Sequence, residues 1–286
     1  MSAEKKDLLI RIREKFTKLS KGQKLIAGYV MNNYDKVAFM TASKLGDKVG
    51  VSESTVVRFA NALDYKGYPD LQKELQELIK TKLTTVQRLE LSNSYSEEGF
   101  FKKVMQADVD NILKTIDELN TKSFNEVVKS ILEAKKVYVF GLRSSTVIVQ
   151  YFSYYLNFIL DNVRIVPSSI NDIFDQFINI GKEDVLIGIT FPRYSKKTLE
   201  VMEFVKNKGA KIIGITDSQF SPVSEIADIT LTAKSNMTSF VDSLVAPISL
   251  INALIIALGM KEKDKVTDTL KNLETTWEKY DIYINK

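Results

Sequence analysis

In the segment Asp184–Ser195, DVLIGITFPRYS, the nearly all-apolar run Val185–Ile189 is followed by Thr190, Pro192, Arg193, Tyr194 and Ser195, then by Lys196 and Lys197. Hydroxyls beside cations can hold an anion through charge-assisted hydrogen bonds. The apolar run suits a strand covered on both faces. In an open parallel sheet, ligands sit at the loop on the carboxyl end of such a strand. The spacing therefore points to a loop that senses a small phosphorylated ligand.

A second set of residues points to DNA. The stretch TASKLGDKVGVSESTVVRFANAL has Thr41 as a cap for a helix through Val49 that buries Ala42, Leu45 and Val49. Gly50 ends that helix. Ser52 caps the next, Glu53–Leu63, with Val56, Val57, Phe59 and Ala60 facing inward. Two short helices joined by a tight turn are the helix-turn-helix pattern. Its second helix enters the major groove with its first residues at base edges. Those residues are Ser52, Ser54 and Thr55, with Arg58 one turn on. Arginine to guanine is the strongest of these readers. Thr41 and Lys66, in the turn after the second helix, complete the candidate DNA-binding set. The competing reading is an ordinary helical hairpin with Arg58 in a surface salt bridge.

Charge follows the same division. Residues 1–82 hold 16 Lys/Arg against 10 Asp/Glu, whereas residues 83–286 hold 24 against 26. A basic front part supplies phosphate contacts, although a solvated lysine-rich surface would look alike. There is no cysteine, which excludes disulfides and zinc–thiolate sites, and no histidine, which removes the commonest general base and metal ligand. No metal or other cofactor is called for. The stretch Val245–Met260 is interrupted by Pro247, Ser249 and Asn252 and is too short and too polar to span a membrane. The N-terminus lacks the apolar core of a secretory signal, so a cytoplasmic protein is expected.

The elements that must position these residues fall into two groups. Helical spacing covers Leu8–Leu19, Lys21–Asn32 and Leu71–Lys82 around the helix-turn-helix pair, and returns at Val104–Leu119. From Lys135 apolar runs appear at Val137–Phe140, Val163–Val166, Val185–Ile189, Ile212–Ile215 and Ile229–Leu231. Helical segments separate them at Ser145–Leu160, Ile170–Ile180, Lys197–Lys208 and Val223–Ala227, and Val241–Leu258 and Val266–Tyr280 follow. Alternation of this kind means an α/β domain with a parallel sheet. The expected organisation is a DNA-binding domain over 1–82, a linker over 83–107 and a second domain over 108–286.

The run LSKGQKLIAGYVMNN, followed by VGVSESTVVRFANALDYKGYPDLQKEL, resembles the N-terminal domain of RpiR-type transcriptional regulators. The later strand–helix alternation resembles the sugar isomerase (SIS) domain, which such regulators carry behind the first. The resemblance implies an all-α helix-turn-helix domain and then an α/β domain with strand order 2-1-3-4-5 and helices on both faces. It also implies a double-stranded DNA operator, a sugar phosphate effector and a homodimer or homotetramer. In that order the switch point lies between the first and third strands. The ligand-binding residues implied there are Gly141, Arg143, Ser144 and Ser145 after the first strand, and Thr190, Arg193 and Ser195 after the third.

This sequence departs from the SIS pattern at both loops. After strand one the pattern is G-x-G-x-S, and Arg143 stands at the second glycine. After strand three it is S-x-S-G-x-T, and Pro192-Arg193 replaces the middle Ser-Gly. The two arginines form either a paired anion clamp or ion pairs with carboxylates such as Asp172 or Asp242. An SIS-type isomerase is the rival function. It needs a base, and the loop Thr232–Ser239, where similar isomerases keep a glutamate, has no carboxylate. Asp242 lies just beyond, where capping the next helix is the simpler role. A regulator whose second domain only dimerises is the third possibility.

Overall fold

The computed structural model describes residues 8–82, 84–92, 99–166, 172–237 and 239–284. Two compact units divide the chain, Met1–Gln87 and Arg88–Lys286. Among the described residues, no single helix is long and apolar enough to cross a membrane.

The front unit is all helix: α1 Leu8–Lys15, α2 Lys21–Val37, α3 Ala42–Val49, α4 Glu53–Ala62 and α5 Tyr68–Lys82, with a 3-10 turn at Phe16–Lys18 where the sequence predicts that α1 continues. Ser20 and Gln23 form a reciprocal capping box that starts α2. Leu8, Ile12, Ile26, Val30, Leu45, Val56, Phe59, Leu63, Leu71 and Leu75 are all buried. They come from all five helices at helical spacing, so one core sets the angle of α3 against α4.

Tyr68 closes this core, its hydroxyl donating to Val37 O at 3.2 Å and Met40 O at 2.9 Å. Burial pushes its phenol up to about 12. Burial, with Glu74 beside it, also raises Tyr65. A phenol with a raised folded pKa keeps its full contribution below the ordinary value of 10.0 and loses it as pH climbs through the gap. The front unit is therefore expected to lose stability from pH 10 towards 12. Tyr68→Phe should cost about 1 kcal/mol at neutral pH and flatten that alkaline loss, which circular-dichroism melts would show.

The rear unit holds α7 Phe100–Glu118, α8 Thr121–Glu133, β1 Val137–Phe140, α9 Ser145–Ile159, β2 Val163–Ile165, β3 Val185–Ile189, α10 Lys196–Asn207, β4 Lys211–Thr216, α11 Pro222–Ile226, β5 Ile229–Thr232, α12 Val245–Lys261 and α13 Lys263–Lys279. Helix α6, Thr85–Ser92, crosses the division between the units. The segment expected as linker thus contains α6 and the start of α7.

All strands are parallel in the order β2-β1-β3-β4-β5. Successive side chains point to opposite faces. Val137, Val139, Ile187, Ile189, Ile213 and Ile215 therefore pack with α8, α9 and α12. Tyr138, Phe140, Leu186 and Ile212 pack with α10 and α11. The expected architecture is the one observed, and the expected strands are found within two residues.

Two expected helices differ. The segment Ile170–Ile180 is a 3-10 helix at Ile173–Phe177, residues 167–171 lying outside the described residues. Phe177 seats it against Tyr138 and Phe140, ring centroids 5.7 and 5.6 Å apart, so aromatic packing rather than an amphipathic face holds it. The helix expected from Val241 starts at Val245, because Asp242 and Ser243 are drawn into side-chain contacts with distant elements.

Candidate functional site

The front-unit site is the exposed start of α4. Helix α3 ends at Gly50, whose φ of 76° makes the tight turn possible. Ser52 takes the N-cap backbone conformation, but its hydroxyl makes no cap bond. It pairs sideways with Ser54 Oγ at 3.0 Å and Thr55 Oγ1 at 2.9 Å. Arg58 lies back on this cluster, its Nε donating to Ser54 O at 3.2 Å and its Nη2 to Ser54 Oγ at 3.3 Å. The four expected readers therefore form one exposed patch of hydroxyls and a guanidinium. No carboxylate pairs with Arg58 among the described residues; its partners are Ser54 O and Oγ.

The other two front-unit residues sit apart. Thr41 caps α3, its hydroxyl accepting from Lys44 N at 3.2 Å. Lys66 is exposed in the turn before α5. Lys44 and Lys48 on α3 are exposed as well.

The rear-unit site is the carboxyl edge of β1 and β3. Register pairs Phe140 with Gly188, so the loops at 141–145 and 190–195 leave the sheet side by side. Gly141 belongs at this edge for packing: a Cβ there would meet Ile189 O at 2.6 Å. Ser144 is the exposed N-cap of α9 and makes no side-chain cap bond, while Ser145 is buried in the first turn.

In the second loop Thr190 is buried. Its Oγ1 accepts from Ser195 N at 3.2 Å, and Ser195 Oγ accepts from Thr198 N at 3.3 Å to cap α10. Both hydroxyls use an acceptor position locally and keep their hydrogens as donors. Both helices aim the positive ends of their dipoles at this edge.

Arg143 and Arg193 are exposed, and both have left-handed backbones, with φ of 60° and 61°. Glycine takes this conformation freely, whereas another residue pays about 1–2 kcal/mol. The turns thus keep a glycine geometry at the two positions where the SIS pattern has glycine, and carry guanidiniums on it. Asp242 is not their partner: it binds Arg88 at 2.8 Å, a side chain only 2% exposed. Nor does it cap α12, which has Leu244 as its N-cap. Arg143 makes no ion pair among the described residues.

Asp217, missed in the sequence, directly follows β4 beside these loops. Its Oδ1 accepts from Tyr194 Oη at 2.8 Å and Thr216 Oγ1 at 3.3 Å, tying down the Arg193 loop. The rule that pointed to the loop after β3 would have found it, since it directly follows the apolar run of β4. Asp217 Oδ2 and Ser235 Oγ are buried at the ends of β4 and β5 without a partner among the described residues. The described residues include no cluster of ligands that could hold a metal. Exposed cations, N–H groups and hydroxyls at one sheet edge can bind an anion.

Residues 6–82 match the helix-turn-helix domain of the rpiR family, and residues 130–257 match the SIS domain. An uncharacterized HTH-type transcriptional regulator of Caldanaerobacter subterraneus is 26% identical over 95% of this chain and 96% of its own length. The HTH-type transcriptional regulator HexR of Escherichia coli is 23% identical over 94% of this chain and 93% of its own. Among solved structures, the Vibrio vulnificus NanR protein complexed with ManNAc-6P superposes with a TM-score of 0.59 at 20% identity, covering 97% of this chain and 100% of that one.

Proposed function

Because the chain belongs to the RpiR-type transcriptional regulators, a helix-turn-helix domain followed by a SIS domain, we propose that α4 reads an operator and that the β1/β3 crevice senses a sugar phosphate. The observation that carries the sensor half is the pair of left-handed arginines at the sheet edge. Residues held in a costly conformation at a ligand edge are kept for what their side chains do. Arg143 and Arg193 supply charge-assisted bonds, with Ser144, Ser145, Thr190 and Ser195 and the first turns of α9 and α10 as further donors. Gly141 lets the two loops approach. A sugar adds hydroxyls that can donate to Asp217 Oδ2. NanR, whose structure holds ManNAc-6P, supports the ligand class.

Sensing is favoured over isomerisation. The crevice has no histidine, and residues 232–239 hold no carboxylate. Asp242, the candidate base that the sequence offers, is committed to Arg88, and Asp217 is tied to Tyr194 and Thr216 through Oδ1. The protein works as a pair. Helix α7 exposes Phe101, Met105, Val109, Leu113 and Ile116 along its length, a face that a second copy would cover. Two half-sites on DNA need two reading helices.

Fluorescence anisotropy tests the regulator reading, using DNA from upstream of the protein's own gene, unrelated DNA as control, and two salt concentrations. Salt-sensitive binding that prefers the upstream DNA is expected. Arg58→Ala should weaken that binding about 10- to 100-fold and leave binding to unrelated DNA much less affected. Equal loss on both DNAs would demote Arg58 from a base reader to a phosphate contact. A panel of hexose 6-phosphates that includes ManNAc-6P, with inorganic phosphate as control, then tests the effector.

A further inference from the structure

We infer that the loop from β5 to α12 and helix α7 form one clasp, which passes the ligand state of the crevice to the segment where the chain enters the rear unit. The inference rests on the ligand reading above and adds the route by which that site would act.

The loop begins at the ligand edge. Ala233 N donates to Thr216 O at 2.8 Å, so the ladder runs one step past β5 before the loop departs. All five strands are parallel, so this is the edge that carries Arg143 and Arg193. From there the loop is fastened to α7 at three of its described residues, 234, 236 and 243. Lys234 N donates to Thr115 Oγ1 at 2.9 Å, and Lys234 Nζ pairs with Glu118 at 2.6 Å. Asn111 grips the backbone of Asn236 twice, donating to its O at 3.1 Å and accepting from its N at 3.3 Å. Ser243 Oγ donates to Asp108 Oδ1 at 2.6 Å. Positions 108, 111, 115 and 118 lie on one helical face. Arg88 Nη1 donates to Asp242 Oδ1 at 2.8 Å, and Arg88 is the first residue of the rear unit, on α6.

Helix α7 thus buries Asn111 and Thr115 and leaves Met105, Val109 and Ile116 exposed, the reverse of a helix that serves a core. Hydrogen bonds are directional, so the loop is held on α7 in one register. A slide of the loop must break several of them together or carry α7 and α6 along. Asp108, Asn111, Thr115, Asp242 and Arg88 are positioning residues on this account, and none of them needs to touch the ligand.

Hydrogen exchange on the full-length protein without ligand tests the clasp, so its failure is distinct from a failure to bind sugar phosphates. The variants are Ser243→Ala and Asp108→Ala, with Ser243→Thr as the conservative rescue. Each of the first two should speed exchange about tenfold in both 232–244 and 100–118, with β1–β4 unchanged and Ser243→Thr near wild type. Binding to the upstream DNA should shift at least about threefold in the same two variants. Acceleration confined to the loop would overturn the clasp, as would acceleration across the whole unit. Joint acceleration with unaltered DNA affinity would leave the contacts as packing and overturn their role in signalling.

Discussion

Replacing Arg143 and Arg193 together by glycine is expected to lower affinity for a sugar phosphate about a thousandfold while raising stability by about 1 kcal/mol. The two effects have separate causes. Each guanidinium contributes charge-assisted bonds of about 1.5–3 kcal/mol, so two removals give roughly two to four orders of magnitude in the dissociation constant. Each arginine also sits at positive φ, at 60° and 61°. Glycine relieves about 1–2 kcal/mol at such a position and returns part of that as added freedom of the unfolded chain. Thermal melts and titration calorimetry read the two quantities independently. Glycine variants that are more stable and still bind would remove the clamp. Variants less stable than wild type would mean that the arginines brace the fold.

The second large effect concerns stability. Asp242→Ala should destabilise the rear unit by about 3–5 kcal/mol, because it takes the carboxylate from an arginine side chain that is 2% exposed. Removing this carboxylate takes away its Coulomb attraction while the desolvation cost of the guanidinium stays. For a unit of this size the melting temperature should fall by roughly 10 °C. Differential scanning calorimetry of the full chain would resolve it, since the front unit contains neither residue and its transition should not move. An exposed pair such as Lys135–Glu183, with side chains 66% and 75% exposed, provides the contrast. There Glu183→Ala should change stability by less than about 1 kcal/mol.

What the sequence disclosed follows the range of the interactions involved. Helices α1 to α5 and the five strands were legible because their signals are periodicity, caps and short apolar runs, all local. The hydroxyl-and-arginine face of α4 was legible for the same reason. Arg143 and Arg193 were found as departures from a pattern, but their left-handed backbone could not be seen until the turns were built. The Arg88–Asp242 pair joins residues 154 apart in the chain. No spacing rule reaches that far, so Asp242 looked like a helix cap and Arg88 drew no notice. Thr190 and Ser195 were expected to face a ligand. In the structure both also serve the fold, Thr190 Oγ1 accepting from Ser195 N across the loop and Ser195 Oγ starting α10.

Helix α7 is occupied on one side by the loop after β5, and on the proposed pairing its apolar side would meet a second copy. A helix so engaged on both sides would join the sensor loop of one subunit to the seam shared with the other. In such a twofold pair the two sensor loops would border a common pair of helices, so occupying one crevice would bias the other. Easing would make the dose–response steeper than simple saturation, a threshold in metabolite concentration, and straining would make it shallower.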